Sequence, residues 1–137
     1  MNKETIETLV LLPNGHNLPA VFELDFGTQE DEIVSIKLSF ANHKFISHGD
    51  TFWEALKKLR INLEKENILI VCYGSCLNVH PSPTILNMGE GRQAYRLTIG
   101  EQAKKKNLVD ILGSDNDVQP TTVKKQEDYY SKWLISL

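Results

Sequence analysis

Two alternating runs followed by a capped amphipathic helix restrict the folds open to this chain. In residues 19–26, Phe22, Leu24 and Phe26 fall on one side and Val21, Glu23 and Asp25 on the other. From Ile33 to Phe40, Ile36, Leu38 and Phe40 share a face, with Lys37 and Ser39 opposite. Period-two patterning of this kind marks strands with one buried and one wet face. Residues 5–12 form a third candidate, split from the next strand by the turn Pro13-Asn14-Gly15. An acidic turn, Gln29-Glu30-Asp31-Glu32, follows the second strand; Ala41-Asn42-His43-Lys44 reads as another turn, after which Phe45-Ile46 begins a short returning strand.

The helix starts at Asp50 or Thr51. Thr51-Phe52-Trp53-Glu54 fits a capping box, in which hydroxyl and carboxylate satisfy the free N–H groups of the first turn. Phe52, Ala55, Leu56, Leu59 and Leu63 make one apolar stripe at helical spacing. On the side expected to be wet, Glu54/Lys58 and Arg60/Glu64 are i,i+4 pairs, each worth about 0.2–0.5 kcal/mol. Asn67 is expected to stop the helix in a left-handed conformation.

Ile68 to Cys72 is an apolar run that reads as a buried strand, and Ala94 to Ile99 as another. Leu108–Leu112 is placed to pair with the latter across Gly100 and Lys104-Lys105-Lys106. Pro120-Thr121-Thr122 opens a last helix with Val123, Gln126, Tyr130, Trp133 (or Leu134) and Leu137 along one face. The pattern predicts a single α+β domain over residues 1–137, a mainly antiparallel sheet of five or six strands covered by two helices.

A chain of 137 residues can bury a core without disulfides or a structural metal. Its net charge of −3 argues against non-specific nucleic-acid binding, which wants a basic face. The segment MNKETIETLV lacks an uninterrupted apolar stretch of the secretory kind, and no run approaches the roughly 20 apolar residues of a membrane span. A cytoplasmic protein is expected, with Cys72 and Cys76 as thiols, no membrane partner and no cofactor.

Function is expected in the segment of about twenty residues between the Ile68 and Ala94 runs, because a loop that long in a compact domain is more often functional than filler. Tyr73, Asn78, His80 and Arg92 are its candidate binding residues. Cys72, Cys76 and His80 stand at C-x3-C-x3-H spacing, one ligand short of a structural zinc site, and no metal is assigned to them. Cys76 and His80 also suggest a nucleophile and base, but no third residue identifiably orients the histidine, so no catalytic residue is assigned. Gly89-Glu90-Gly91-Arg92 matches no phosphate-loop pattern and reads as a tight turn. Asp110, Asp115 and Asp117 lack the spacing of a calcium loop. Asn78, Ser82 and Asn87 are expected to staple the segment by local hydrogen bonds. Trp53 and Tyr129 are candidates for exposed aromatic anchors.

Several runs are similar to small bacterial immunity proteins that accompany polymorphic or contact-dependent toxins: Trp53-Glu54-Ala55-Leu56 with Leu59-Arg60 and Leu63-Glu64, Tyr73-Gly74 to Pro81-Ser82, Met88-Gly89-Glu90-Gly91-Arg92 to Ala94-Tyr95, and Gln126 to Trp133-Leu134. The resemblance covers roughly residues 45–137 and implies a protein that blocks a toxin with a surface patch, without chemistry of its own. Glu23, Asp25, Glu30, Asp31 and Glu32 would then complement a basic partner. Two other readings stand beside it: a small enzyme or ligand-binding protein built on residues 72–96, with Tyr73, Cys76, Asn78, His80 and Arg92 converging on a pocket, and a subunit that dimerises through a sheet edge. The sequence leaves the oligomeric state open.

Overall fold

The structure, a computed structural model, describes residues 3–28 and 30–137; Met1, Asn2 and Gln29, the first residue of the acidic turn, lie outside the described residues. The fold is α+β, as the patterning predicts. Strands β1 (Lys3–Leu11), β2 (Asn17–Asp25), β3 (Val34–Phe40), β4 (His43–Gly49) and β5 (Leu69–Ile70) form an antiparallel sheet in the order β4-β3-β2-β1-β5. Alternation sets its faces: Val10, Ala20, Phe22, Leu24, Ile36 and Leu38 are buried. Glu23 and Lys37 stand opposite each other on the outer face and pair at 3.1 Å.

The turn after β3 is shorter than its sequence suggests. Only Ala41 and Asn42 turn; Ala41 adopts φ 50°, which lets a two-residue hairpin hold Phe40 opposite His43. His43 and Lys44 therefore belong to a seven-residue strand rather than to the turn.

Helix α1 (Phe52–Glu64) crosses the inner face. The Thr51 hydroxyl accepts the Glu54 N–H at 3.2 Å, Asn67 takes φ 58° at the far end, and the Ser47 hydroxyl donates to the Ala55 carbonyl at 2.6 Å. The expected Arg60/Glu64 surface pair does not form. Arg60 is 3% exposed, and Glu64 instead accepts the Val123 N–H at 3.0 Å. The reason is that α1 is covered on two sides: Phe52, Ala55, Leu59 and Leu63 belong to the apolar stripe, while Trp53 and Arg60 are buried as well, beneath a second layer.

That layer holds β6 (Val79–His80), β7 (Gln93–Arg96) and β8 (Leu108–Asp110), a small antiparallel sheet, with α2 (Pro83–Leu86) and α3 (Val123–Ser136). Helix α3, capped by the Thr122 hydroxyl on the Lys125 N–H at 3.3 Å, lies against α1 and β6. The segment expected to be a long loop is thus built into structure: Leu97 N–H donates to Asn78 O at 2.7 Å, and Thr121 N–H to Ser75 O at 2.8 Å. One apolar cluster runs from Val10 through Phe52 and Leu59 to Ile111 and Leu112, joining both layers. Among the described residues no helix is long and apolar enough to cross a membrane.

Candidate functional site

The residues singled out between Cys72 and Arg92 separate into three places. Tyr73 and Asn78 line a concavity of about 310 Å3 with Cys76, Arg96, Asp115 and Asp117. There the Tyr73 hydroxyl donates to Asp115 Oδ2 at 2.6 Å, and the Arg96 guanidinium lies 4.8 Å from the Tyr73 ring centroid. The Tyr73 bond, helped by the Asp117 N–H, holds the Asp115 carboxyl below the usual carboxylate range; the same bond raises the Tyr73 phenol. Asn78 donates its amide to the Leu97 carbonyl at 3.2 Å.

His80 takes another direction. Its ring stacks on Tyr130 at 3.6 Å and meets the edge of Trp53 at 5.2 Å, between α1 and α3. Cys76 points its thiol at the Cys72 carbonyl, 3.8 Å away, so thiol and imidazole do not form a nucleophile–base pair. Burial pushes both thiols up, Cys72 and Cys76 alike, which keeps them protonated and poorly nucleophilic at neutral pH. Among the described residues no group of three or more His, Cys, Asp or Glu side chains is arranged to hold a metal ion.

Arg92 occupies the third place. It forks onto Asp110, at 2.8 and 3.3 Å, and onto Glu4, at 3.2 and 3.3 Å, tying β1 to β8. Bidentate carboxylate pairing of this kind fixes geometry and leaves little of the guanidinium for a ligand.

A further cleft is reached by the Gly89-Glu90-Gly91 turn through Glu90. Glu90 and Gly91 both take positive φ, 58° and 77°, and a Cβ on Gly91 would stand 2.7 Å from Thr51 Cβ. Glycine is required there because the turn abuts the start of α1. The approach brings Glu90 to a cleft of about 420 Å3, with Glu32 and Asp50 as further carboxylates, Phe26 and Leu86 as its apolar part, and Thr28, Thr51 and Asn87 completing the lining. Among the described residues no lysine or arginine lines it. The sequence places Glu32 among acids facing a partner without marking Asp50 and Glu90, which reach the cleft from separate segments. Of the other acids, Glu23 pairs with Lys37, while Asp25 and Asp31 accept the Gly27 and Ile33 N–H groups at 3.1 Å each.

Neither candidate aromatic anchor is exposed: Trp53 is buried, and Tyr129 is half-buried with its hydroxyl donating to Leu97 O at 3.4 Å. Ser82 caps α2 by accepting the Ile85 N–H at 3.1 Å, so Asn78 and Ser82 act as staples. Asn87 is exposed and closes α2 through its backbone N–H instead. Asn78→Ala is expected to cost about 0.5–1.5 kcal/mol and Arg92→Ala about 1–3 kcal/mol, since the latter removes hydrogen bonds between charged groups. Thermal melts of the two variants side by side check both the values and their order.

Comparison with protein-family models and with curated proteins finds no match to this chain.

Proposed function

We propose that this chain is a partner-binding domain that neutralises or regulates another protein, with a toxin as the candidate partner, and that the acidic cleft receives a basic segment of it. The observation that carries the reading is the cleft itself: Glu32, Asp50 and Glu90 line it beside apolar Phe26 and Leu86, with no basic residue among the described lining. Carboxylates so placed speed encounter with a cationic surface, and apolar surface accommodates the methylene stem of a lysine or arginine. No chemistry of the chain's own is needed.

The test is recovery of partners from the native host, followed by binding of the triple variant Glu32→Gln, Asp50→Asn, Glu90→Gln. The expected result is at least about tenfold weaker binding and a shallower dependence on salt, because rim charges act mainly through long-range attraction. Unchanged affinity and unchanged salt dependence in the variant overturn the reading, as does recovery of no protein.

A second reading, a small-ligand or enzymatic site at the Tyr73 concavity, is supported by the convergence of Tyr73, Cys76, Asn78 and Arg96. It is weakened by the raised Cys76 thiol and by His80 and Arg92 being turned elsewhere.

A further inference from the structure

We infer that the free edge of β4 is a docking strand, to which an extended acidic segment of a partner protein adds as a further strand of the sheet. The hairpin fixes which backbone groups are open. A two-residue loop makes Phe40 and His43 a hydrogen-bonded pair, and bonded and non-bonded pairs alternate along an antiparallel ladder. Phe45 and Ser47 therefore bond to Leu38 and Ile36 of β3, while the N–H and C=O groups of Lys44, Ile46 and His48 point away from the sheet.

Among the described residues one group answers them: Lys58 of α1 donates its ammonium to the His48 carbonyl at 3.1 Å. The open stretch is thus both backbone groups of Lys44, both of Ile46 and the His48 N–H. A row of alternating donors and acceptors at strand spacing is the complement of another extended backbone. The opposite edge offers no such stretch, because β5 is two residues long.

An added strand would meet apolar surface on both of its faces. On the outer face Ile46, 57% exposed, stands at the middle of the open stretch. On the inner face the edge is flanked by α1, where Glu54, Lys58 and Ile61 share one side by helical spacing, and Ile61 is 42% exposed.

Lys44 sets the charge of the segment. Among the described residues it makes no ion pair, whereas Lys37, opposite Ile46, is taken by Glu23 at 3.1 Å and Lys58 by Glu54 at 3.4 Å. A carboxylate directly across from Lys44 on the arriving strand completes that pair. The same lysine disfavours a second copy as the occupant. Two β4 edges paired antiparallel about Ile46 would set each Lys44 against the other copy's His48 and the Lys58 ammonium on it. None of these side chains lines the acidic cleft, so this surface stands whether or not that cleft binds.

The probe is a blocked heptapeptide, TEVVVET, which in either direction sets a valine across from Ile46 and a glutamate across from Lys44; TKVVVKT is its control. Binding to the intact chain is followed by NMR and by amide hydrogen exchange. TEVVVET is expected to shift the Lys44, Ile46 and His48 amides and to raise their protection about tenfold when present at ten times its Kd. The Phe45 and Ser47 amides should be protected without it. TKVVVKT should bind at least about threefold more weakly. Ile46→Pro removes an outward N–H and leaves the β3 ladder intact, a place where proline is tolerated, and should abolish binding. If that variant does not fold, Lys44→Glu carries the test, since it should reverse the preference between the two peptides. Unshifted Lys44 and Ile46 amides at about 1 mM TEVVVET, or equal affinity for the two peptides, overturn the proposal. Protection of those amides that rises with protein concentration alone overturns it too, because the occupant is then a second copy.

Discussion

Arg60→Ala is expected to destabilise the protein by about 3–5 kcal/mol, the loss of several hydrogen bonds from a charged group together with the cavity left by a large buried side chain. The guanidinium donates through Nη1 to the Gly74 carbonyl at 2.9 Å and to Gln126 Oε1 at 2.6 Å, and through Nη2 to the Thr121 carbonyl at 3.0 Å. These acceptors come from the turn after Cys72, from α3 and from the strap leading into α3. All three segments hang on one side chain of α1. Alanine leaves Gln126 Oε1 and the Thr121 carbonyl without that donor, while Gly74 O keeps the Gln126 amide, and it opens a cavity as well. Burial lowers the Arg60 pKa, yet an arginine keeps its proton at any ordinary pH. The network thus has a permanent cation answered by neutral oxygens. Arg60→Lys keeps the charge but not the planar fork, and its loss should fall between wild type and alanine. Urea unfolding midpoints of the three proteins check the order; an Arg60→Ala variant within about 1 kcal/mol of wild type would show that the network adds little beyond what water offers these groups.

That Arg60 reads as a surface residue in the sequence bears on what a chain of this kind discloses. The stripe Phe52, Ala55, Leu56, Leu59, Leu63 is a local pattern, and it correctly predicts the face that α1 lays on the sheet. The second covered face carries Trp53 and Arg60 and shares Leu56 with the stripe, and because Arg60 is charged, hydropathy alone returns a wet side. Trp53 is the available signal: a large aromatic one residue off the stripe implies that something covers it. Strands β1 to β3 are legible because alternation is local, and their hairpin turns lie between them. The segment from Cys72 to Arg92 is not, because its order comes from distant partners such as Leu97, Thr121 and Gln126. For the same reason only one of the three acids of the cleft stands out. Glu32 lies in an acidic run, whereas Asp50 and Glu90 are single acids in ordinary turns, and only the close seat of Gly91 on Thr51 brings them together.

Gly74→Ala is expected to cost about 2–3 kcal/mol, the upper part of the range for overpacking a well-filled interior. A Cβ on Gly74 would stand 2.5 Å from Leu56 Cδ2, 2.9 Å from the Ile111 carbonyl oxygen and 3.1 Å from Ile111 Cβ. The backbone has no freedom to retreat. Gly74 N–H donates to that Ile111 oxygen at 2.8 Å, and Gly74 O receives Arg60 and Gln126, each at 2.9 Å. Moving Gly74 away from Leu56 would stretch all three bonds, so the cost arises from sterics in a place where hydrogen bonds forbid relaxation. Gly100→Ala makes the contrast. Gly100 takes φ +85°, and a Cβ there would meet nothing within 4 Å, so only backbone strain of about 1–2 kcal/mol is expected. A second comparison separates sterics from strain: Leu56→Ala removes the nearer obstacle, so the double variant Gly74→Ala, Leu56→Ala should be more stable than the two single losses added together predict. Strict additivity would place the clash elsewhere, and a Gly74→Ala loss no larger than that of Gly100→Ala would mean that this turn yields more readily than its hydrogen bonds imply.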